Sequence, residues 1–583
     1  MHHCLEIPEI SAAICHFLGR GDPRAGPSDL ASLALTCRSF SRIATDELWS
    51  TIEDLQLLIL ALTDGLWKAE QRHGCTDIVR LKREITLEDI KALALGFSRV
   101  RELRFNFRGP SSEMDAIDDI LKAASRLGVP HPLPQSHRRL HLSVAALFND
   151  HVGTHKALQT LFAPSIVTFE LATAHRRVHS GLIEGVIFRD LAQRCPNLTS
   201  ITVGFRGGLT PPYLTACISE LPLLKELTLR RYYPTPQLLE ILAKKESFTH
   251  LAFTYHPEDT GQVQAPARGA APSSLMGTPC LRHLSLRFTY IDDTCDLLRF
   301  LHPCPLETLS LSHVSLPSME QVRYLVRTLT NCLDHTSLRH LRLYRHGPGC
   351  VEEGVDRDLP LGPELGDEDP YDFQTLAVFT NLETLDIQLR AETHVGIMAL
   401  QRLARGLLSD DPEVESAPHG LTNLTTLKIG DNESIRCSAP SSDTIHPSVE
   451  LHQLPDICTL FPKLQELGLF IDVPGDSCVA QAGGDAAPED SPQFPNLRRL
   501  HISRSPLVSA PEAAGYLAAH FPGLRGIGVH ETDPSLHASD LDSDCECYGE
   551  YVPLNPYFTG WTDVARIMGI RTIGSTDMYN HGI

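Results

Sequence analysis

The chain is built on one repeated phrase. Leu338-Arg-His-Leu341-Arg-Leu343 has the form L-x-x-L-x-L. It returns as Val100-Arg-Glu-Leu103-Arg-Phe105, Ile166-Val-Thr-Phe169-Glu-Leu171, Leu198-Thr-Ser-Ile201-Thr-Val203 and Leu224-Lys-Glu-Leu227-Thr-Leu229. Further copies start at Phe248, Leu281, Leu306, Leu382, Leu424, Leu464, Leu497 and Leu524, and a degenerate one ends in Leu140-His-Leu142. The fourteen starts lie 24 to 44 residues apart. A unit this short cannot bury an apolar face alone, so its copies must stack. The last two apolar positions alternate with polar ones, as a strand with one buried face requires. Between copies, apolar residues such as Met319, Val322, Leu325, Val326 and Leu329 recur at helical spacing. Many units end in Pro196-Asn-Leu198 or a variant (Pro462-Lys-Leu464, Pro495-Asn-Leu497, Pro522-Gly-Leu524), where proline stops the helix and feeds an extended strand.

This pattern resembles that of leucine-rich-repeat proteins over roughly residues 100–530. The resemblance implies an α/β fold: an irregular solenoid, a horseshoe with a concave parallel sheet and outer helices. The variable repeat length is similar to that of the F-box-associated class. Residues 256–279, 346–370, 410–420, 436–450 and 472–496 lack the period and are expected to be loops on the rim. Trp561, Val564, Ala565 and Met568 predict a terminal helix that caps the sheet after an acidic tail. The expected organisation is a helical module over 1–50, a helical linker over 51–98, repeats over 99–530, and tail with cap over 531–583.

Residues 4–49 do not repeat. Ile10, Ile14, Phe17 and Leu18 predict one helical stripe; Leu30, Leu33, Ala34 and Cys37 a second; Phe40, Ile43, Ala44 and Leu48 a third. Three short helices bury too little area to be robust alone. The ordered run Ile7-Pro8-Glu9-Ile10, Ile14, Phe17-Leu18, Asp29-Leu30, Leu33, Leu35, Cys37-Arg38-Ser39-Phe40 and Leu48-Trp49 resembles an F-box. It departs from the family pattern where Ile7 replaces a leucine, where Thr36 precedes Cys37, and where Gly19–Pro27 lengthens the first loop. The resemblance implies binding of a Skp-type adaptor, and through it a cullin, with Leu5, Ile7, Pro8, Ile10, Ile14, Leu33, Cys37 and Trp49 as contacts. Without a partner, these residues would serve as the core of a helical cap on the repeats.

Composition narrows the function. The formal charge is −21, which opposes binding to nucleic acid or an anionic membrane surface. The N-terminus shows no basic and apolar leader, and the densest apolar stretch, Leu55 to Leu62, is far shorter than a membrane span. Sixteen cysteines scattered through apolar patterns suit reduced thiols, so an intracellular site, cytoplasmic or nuclear, is expected. On that reading the sequons at Asn197, Asn423 and Asn432 are incidental. No nucleophile elbow, metalloprotease helix or phosphate loop is present. Cys545-Glu-Cys547 lacks the second pair a zinc site needs, and His3 is read as incidental. Neither an enzyme activity nor a cofactor or metal is expected.

Motif positions 3, 5 and 7 should line the concavity. Six of these 42 are histidines, against about two expected by chance from 28 in the chain. His250, His283, Arg287, His340, Arg342 and Tyr344 are the candidate substrate contacts. Four acidic windows, 352–369, 410–415, 472–490 and 531–550, carry −23 over 63 residues, so the acidity belongs to expected loops and tail. The concavity is neutral to basic and suits a protein substrate offering an acidic or phosphorylated segment. The expected function is the non-catalytic substrate receptor of a Skp–cullin–F-box ubiquitin ligase. The alternative is a repeat scaffold or inhibitor acting outside a ligase.

Overall fold

The computed structural model describes residues 7–20, 26–36, 38–52, 59–60, 65–72, 75–107, 112–129, 137–144, 159–173, 181–204, 210–230, 232, 234–254, 280–288, 291–302, 304–313, 319–345, 373–388, 397–405, 420–429, 449–469, 471–472, 492–502, 507, 509–529 and 558–573. The chain forms two compact units, Met1–Ala267 and Arg268–Ile583.

The first unit opens with three helices, α1 (Pro8–Arg20), α2 (Gly26–Thr36) and α3 (Arg38–Leu48). Pro8 stands at the start of α1, where a missing N–H is no loss. Cys15, Leu30, Phe40 and Ala44 form the module core, and Leu18, Leu33, Ala34, Ile43 and Leu48 pack against it. Gly26 makes the α1–α2 approach possible: a Cβ there would stand 2.6 Å from the Leu18 carbonyl oxygen.

The module runs straight into the sheet. Strand β1 (Thr51–Ile52) pairs in parallel with β4 (Glu102–Phe107). The Ser50 carbonyl accepts from the N–H groups of Arg101 and Glu102 at 2.8 and 2.9 Å. Between these strands come an antiparallel hairpin, β2 (Trp67–Arg72) with β3 (Cys75–Leu81), and helix α4 (Leu87–Phe97). Thr86 and Asp89 close a capping box at the start of α4. The helical linker expected over 51–98 is therefore corrected: a strand and a hairpin accompany the helix. The spaced leucines suggested helices, but Thr76, Ile78 and Val79 are β-branched and favour a pleated strand. Leu55, Leu58 and Leu62 lie outside the described residues.

Each of the fourteen copies contributes one strand to a parallel sheet. In the first unit these are β4, β5 (Arg139–Val144), β6 (Thr168–Thr173), β7 (Ser200–Gly204), β8 (Glu226–Arg230) and β9 (His250–Thr254), each in register with the next. Helices α5 (Ser112–Arg126), α6 (Gly181–Arg194), α7 (Pro212–Glu220) and α8 (Pro236–Ala243) alternate with them. In the second unit the sheet strands are β10 (His283–Phe288), β11 (Thr308–His313), β12 (His340–Arg345), β13 (Thr384–Gln388), β14 (Thr426–Ile429), β16 (Glu466–Leu469), β18 (Arg499–Ile502) and β19 (Gly526–Val529). Helices α9 (Ile291–Leu301), α10 (Met319–Cys332), α11 (Ile397–Arg405), α12 (Leu454–Leu460) and α13 (Ala510–His520) connect them, with a 3₁₀ helix at Phe373–Val378. A separate two-stranded pair, β15 (Val449–Glu450) with β17 (Ile471–Asp472), takes the edges of two stretches expected as loops. The other parts of the five aperiodic insertions fall almost wholly outside the described residues, as does the acidic tail.

The motif leucines form a buried ladder. Leu284, Leu309, Leu341, Leu385, Leu427, Leu467 and Leu500 are each at or below 1% exposure. In the degenerate copy, His137 takes the leucine position and stays buried because its Nε2 bonds the Leu161 carbonyl at 2.7 Å. The asparagine just before the motif leucine links neighbours: Asn197, Asn423 and Asn496 donate Nδ2–H to the carbonyls of Pro164, Thr380 and Pro462. At the C-terminal end, α14 (Phe558–Met568) buries Trp561, Val564 and Ala565, as the spacing predicts. Strand β20 (Arg571–Ile573) then pairs with β19. The chain is an α/β repeat solenoid preceded by a three-helix module.

Candidate functional site

Helix α1 is apolar on two sides. Ser11 and Cys15 are buried and Leu18 packs on the module core, at i, i+4 and i+7. Ile7, Ile10, Ile14 and Phe17 follow at i, i+3, i+7 and i+10 along the other side. Ile7, Ile10 and Phe17 are exposed, Phe17 at 78%. Ile10, Ile14 and Phe17 line a shallow groove together with Glu9, Ala13 and Leu18. His16 Nδ1 meets Glu47 Oε1 at 2.9 Å and pins α1 to α3. The groove therefore lies on a braced helix.

The expected adaptor contacts separate into three groups. Ile7, Pro8 and Ile10 are exposed and Ile14 half-buried, all on α1 or at its start. Leu33 is half-buried and packs on the core cluster, and Trp49 is half-buried just beyond α3. Leu5 and Cys37 lie outside the described residues. Ile10, Ile14, Phe17 and Leu18 do form one stripe along the groove, and of the four Leu18 packs on the module core. The core position between them is Cys15, whose burial raises its thiol pKa. Phe17 and Leu35, exposed at 78% and 89%, are surface apolar residues absent from the expected contacts. The signal for Phe17 was its seven-residue distance from Ile10, which puts both on one side of a helix.

The second surface is the sheet face opposite the leucine ladder. In the second unit the register stacks three rows across the strands. The first holds His283, Thr308, His340, Thr384, Thr426 and Glu466; the second Ser285, Ser310, Arg342, Asp386, Lys428, Gly468, His501 and Gly528. The third holds Arg287, Ser312, Tyr344 and Gln388. The structure thus brings His283, Arg287, His340, Arg342 and Tyr344 to one face, on β10 and β12 with β11 between them. His250 belongs to β9 in the other unit, where Thr249 Oγ1 bonds its Nδ1 at 2.8 Å.

These side chains differ in what they already hold. His340 Nδ1 bonds the Thr384 hydroxyl at 3.1 Å, and burial lowers its pKa. Ser310 donates to the Tyr344 hydroxyl at 3.3 Å. Arg342 makes no side-chain hydrogen bond or ion pair among the described residues. Beside it, burial pushes the Asp386 carboxyl up against the pull of Lys428, a Gln388 hydrogen bond at 2.7 Å, and Arg342.

A polar cluster that the sequence left ungrouped follows. Glu466 Oε1 receives Lys428 Nζ at 2.8 Å and His501 Nε2 at 2.5 Å. Burial would raise the Glu466 carboxyl, but these two partners outweigh it and hold it at about 2. Burial lowers the His501 pKa, while its hydrogen bond to the Glu466 carboxylate pulls the other way. Glycine makes the room: a Cβ at Gly468 would stand 3.0 Å from Lys428 Cγ. Glycine at face positions between long polar neighbours was the available signal.

The corresponding face of the first unit is neutralised internally. Glu102 lies 2.7 Å from Arg104, 3.5 Å from Arg139 and 3.4 Å from His141. His141 Nδ1 also reaches Glu170 at 2.7 Å, which lowers that carboxyl, and Arg230 stands 3.6 Å away.

Burial pushes the thiols of Cys195, Cys217 and Cys458 up to about 12, leaving them protonated and inert. Among the described residues, no group of three His, Cys, Asp or Glu side chains is arranged to hold a metal ion. Nor is any helix among them long and apolar enough to cross a membrane.

No family model matches the chain, and no curated protein matches it. Among solved structures it is similar to a chain in the "Crystal structure of Rad7 and Elc1 complex in yeast", at 14% identity and a TM-score of 0.32, over 72% of this chain and 84% of that one. A likeness at that level carries no weight for partner or activity, and the fold rests on the strand pairing itself.

Proposed function

We propose that the chain is a non-catalytic recognition subunit of a Skp–cullin–F-box ubiquitin ligase. The outward side of α1 docks the adaptor, and the polar sheet face of the repeats receives a protein substrate. One observation carries this reading: α1 keeps a second apolar side, Ile7, Ile10, Ile14 and Phe17, after its first side has completed the module core. A helix that only capped a solenoid would be polar there. The order of residues that resembles an F-box gives the occupant.

On the substrate side, the uncommitted Arg342 with His340 and Tyr344 suits a carboxylate- or phosphate-bearing segment, because a planar guanidinium takes such groups in a bidentate manner. The chain performs no reaction in this role. The catalytic cysteine belongs to another subunit, and this one contributes proximity.

The test is co-purification of the full chain with a Skp-type adaptor. Ile10→Glu with Phe17→Glu should abolish it while the melting curve stays in place. Retained adaptor binding by that folded double variant would sink the reading. Binding lost only on Arg342→Glu would point to the repeats as the docking element and favour a scaffold outside a ligase.

A further inference from the structure

A cavity of about 610 Å³ opens in the first unit where α3 meets the beginning of the sheet. Its polar walls are Arg42 and Asp46 from α3, Ser98 and Arg99 at the end of α4, and Arg101 and Arg138, the residues that lead into β4 and β5. Four guanidiniums thus surround one carboxylate, a local charge of +3 in a chain whose net charge is −21.

The carboxylate is already shared. Asp46 lies 3.2 Å from Arg99 Nε and 3.9 Å from Arg42 Nε. Arg99 also suits its place, since a cation is favourable beside the C-terminus of a helix. Neither explanation covers Arg101 and Arg138. Both are exposed, and neither makes a side-chain hydrogen bond or ion pair among the described residues. They are neighbours across the sheet: Arg138 N donates to the Arg101 carbonyl at 2.8 Å, and adjacent strands run about 4.8 Å apart. Two like charges on adjacent strands that line one cavity repel each other, and a bound anion would remove the repulsion.

We propose that this cavity binds a small anion carrying two or more closely spaced phosphate or carboxylate groups. Its size lies within the range of small-molecule sites, roughly 300–1,000 Å³. Several guanidiniums lining one cavity favour such groups over a single halide, because each group can accept a forked pair of N–H bonds. Arg42 belongs to the helical module, and Arg101 and Arg138 to the sheet. The ligand therefore bridges the joint between them, and its binding stabilises that joint by mass action.

The experiment is calorimetric titration of the full chain with pyrophosphate and, separately, citrate, at constant ionic strength in chloride. The control is the pair Arg498 and Arg525, exposed arginines at the same motif position before adjacent strands of the other unit. One probe or both should bind with 1:1 stoichiometry and Kd below ~1 mM. Binding of pyrophosphate alone identifies a phosphorylated ligand, and of citrate alone a polycarboxylate. R101A/R138A should weaken binding at least tenfold and R498A/R525A leave it unchanged. R42A, whose side chain is 89% exposed, provides a second variant that cannot disturb the sheet. Absence of saturable binding, or equal losses in the cavity and control pairs, would overturn the proposal.

Discussion

Gly528 lies directly against the His501 ring. A Cβ at 528 would stand 2.3 Å from His501 Nδ1, while Nε2 of the same ring holds Glu466 at 2.5 Å on the next strand. The missing side chain is what allows the imidazole to stay within reach of the carboxylate. Gly528→Ala should therefore displace His501 and destabilise the fold by about 1–3 kcal/mol. Urea denaturation measures this; an unchanged midpoint would mean that the ring has room to turn.

Acid should begin to weaken the protein through a buried histidine. His313 faces the core at 1% exposure, and among the described residues neither ring nitrogen has a hydrogen-bond partner. Burial lowers its pKa from 6.5 to about 4. The folded chain holds it neutral, so the unfolded chain takes up the proton first. The stability is fully present above 6.5 and is lost as pH falls towards 4, by about 3 kcal/mol in all. Glu466 acts in a lower window, from its ordinary 4.5 down to about 2. Denaturation midpoints at a series of pH values should show both windows. His313→Leu should flatten the upper one, leaving the part due to His501.

The two sides of α1 and its module predict opposite outcomes. Leu30 is buried in the module core, and Leu30→Ala should cost about 2–5 kcal/mol. Phe17→Ala, on the exposed side, should leave the melting temperature unchanged and weaken adaptor binding by about 1.5–3 kcal/mol if the ring becomes buried there. Thermal melts alongside adaptor titration separate the two.

The terminal cap can be tested in the same way. Trp561 is fully buried, and Trp561→Ala should cost about 3–5 kcal/mol. Stacked repeats lose structure from the end where a neighbour contact fails. Amide exchange should therefore accelerate first in Arg571–Ile573 and Gly526–Val529, with Thr308–His313 protected longer.

The repeat strands were legible because their signal is redundant: an apolar pair two residues apart, fourteen times, at positions that are buried wherever their side chains are described. The terminal helix was legible from Trp561, Val564 and Ala565 for the same reason. Strands β1 and β20 were not, since two or three residues without a motif have no period to detect. The hairpin over 67–81 was missed because the linker was read from the apolar residues on either side of it. In the module, Ile10, Ile14, Phe17 and Leu18 are equally apolar, so composition could not tell which belonged to the core and which to the surface. Only the positions of α2 and α3 decide that. Arg342 and Tyr344 were found as face positions, but the Lys428–Glu466–His501 cluster depends on rotamers and on what glycine leaves open, which a sequence does not display.

Strand β1 has a bearing on how the chain can be dissected. It contributes two residues to the sheet, follows α3 without a loop, and forms the outermost position beside β4. Short terminal strands of this kind shield the hydrogen-bonding groups of the strand behind them from pairing with another molecule. A truncation meant to remove only the helices would leave β1 unanchored and β4 uncovered. Its product would aggregate, and a lost interaction would then report on solubility instead of on docking. Point substitutions on α1 leave that guard in place.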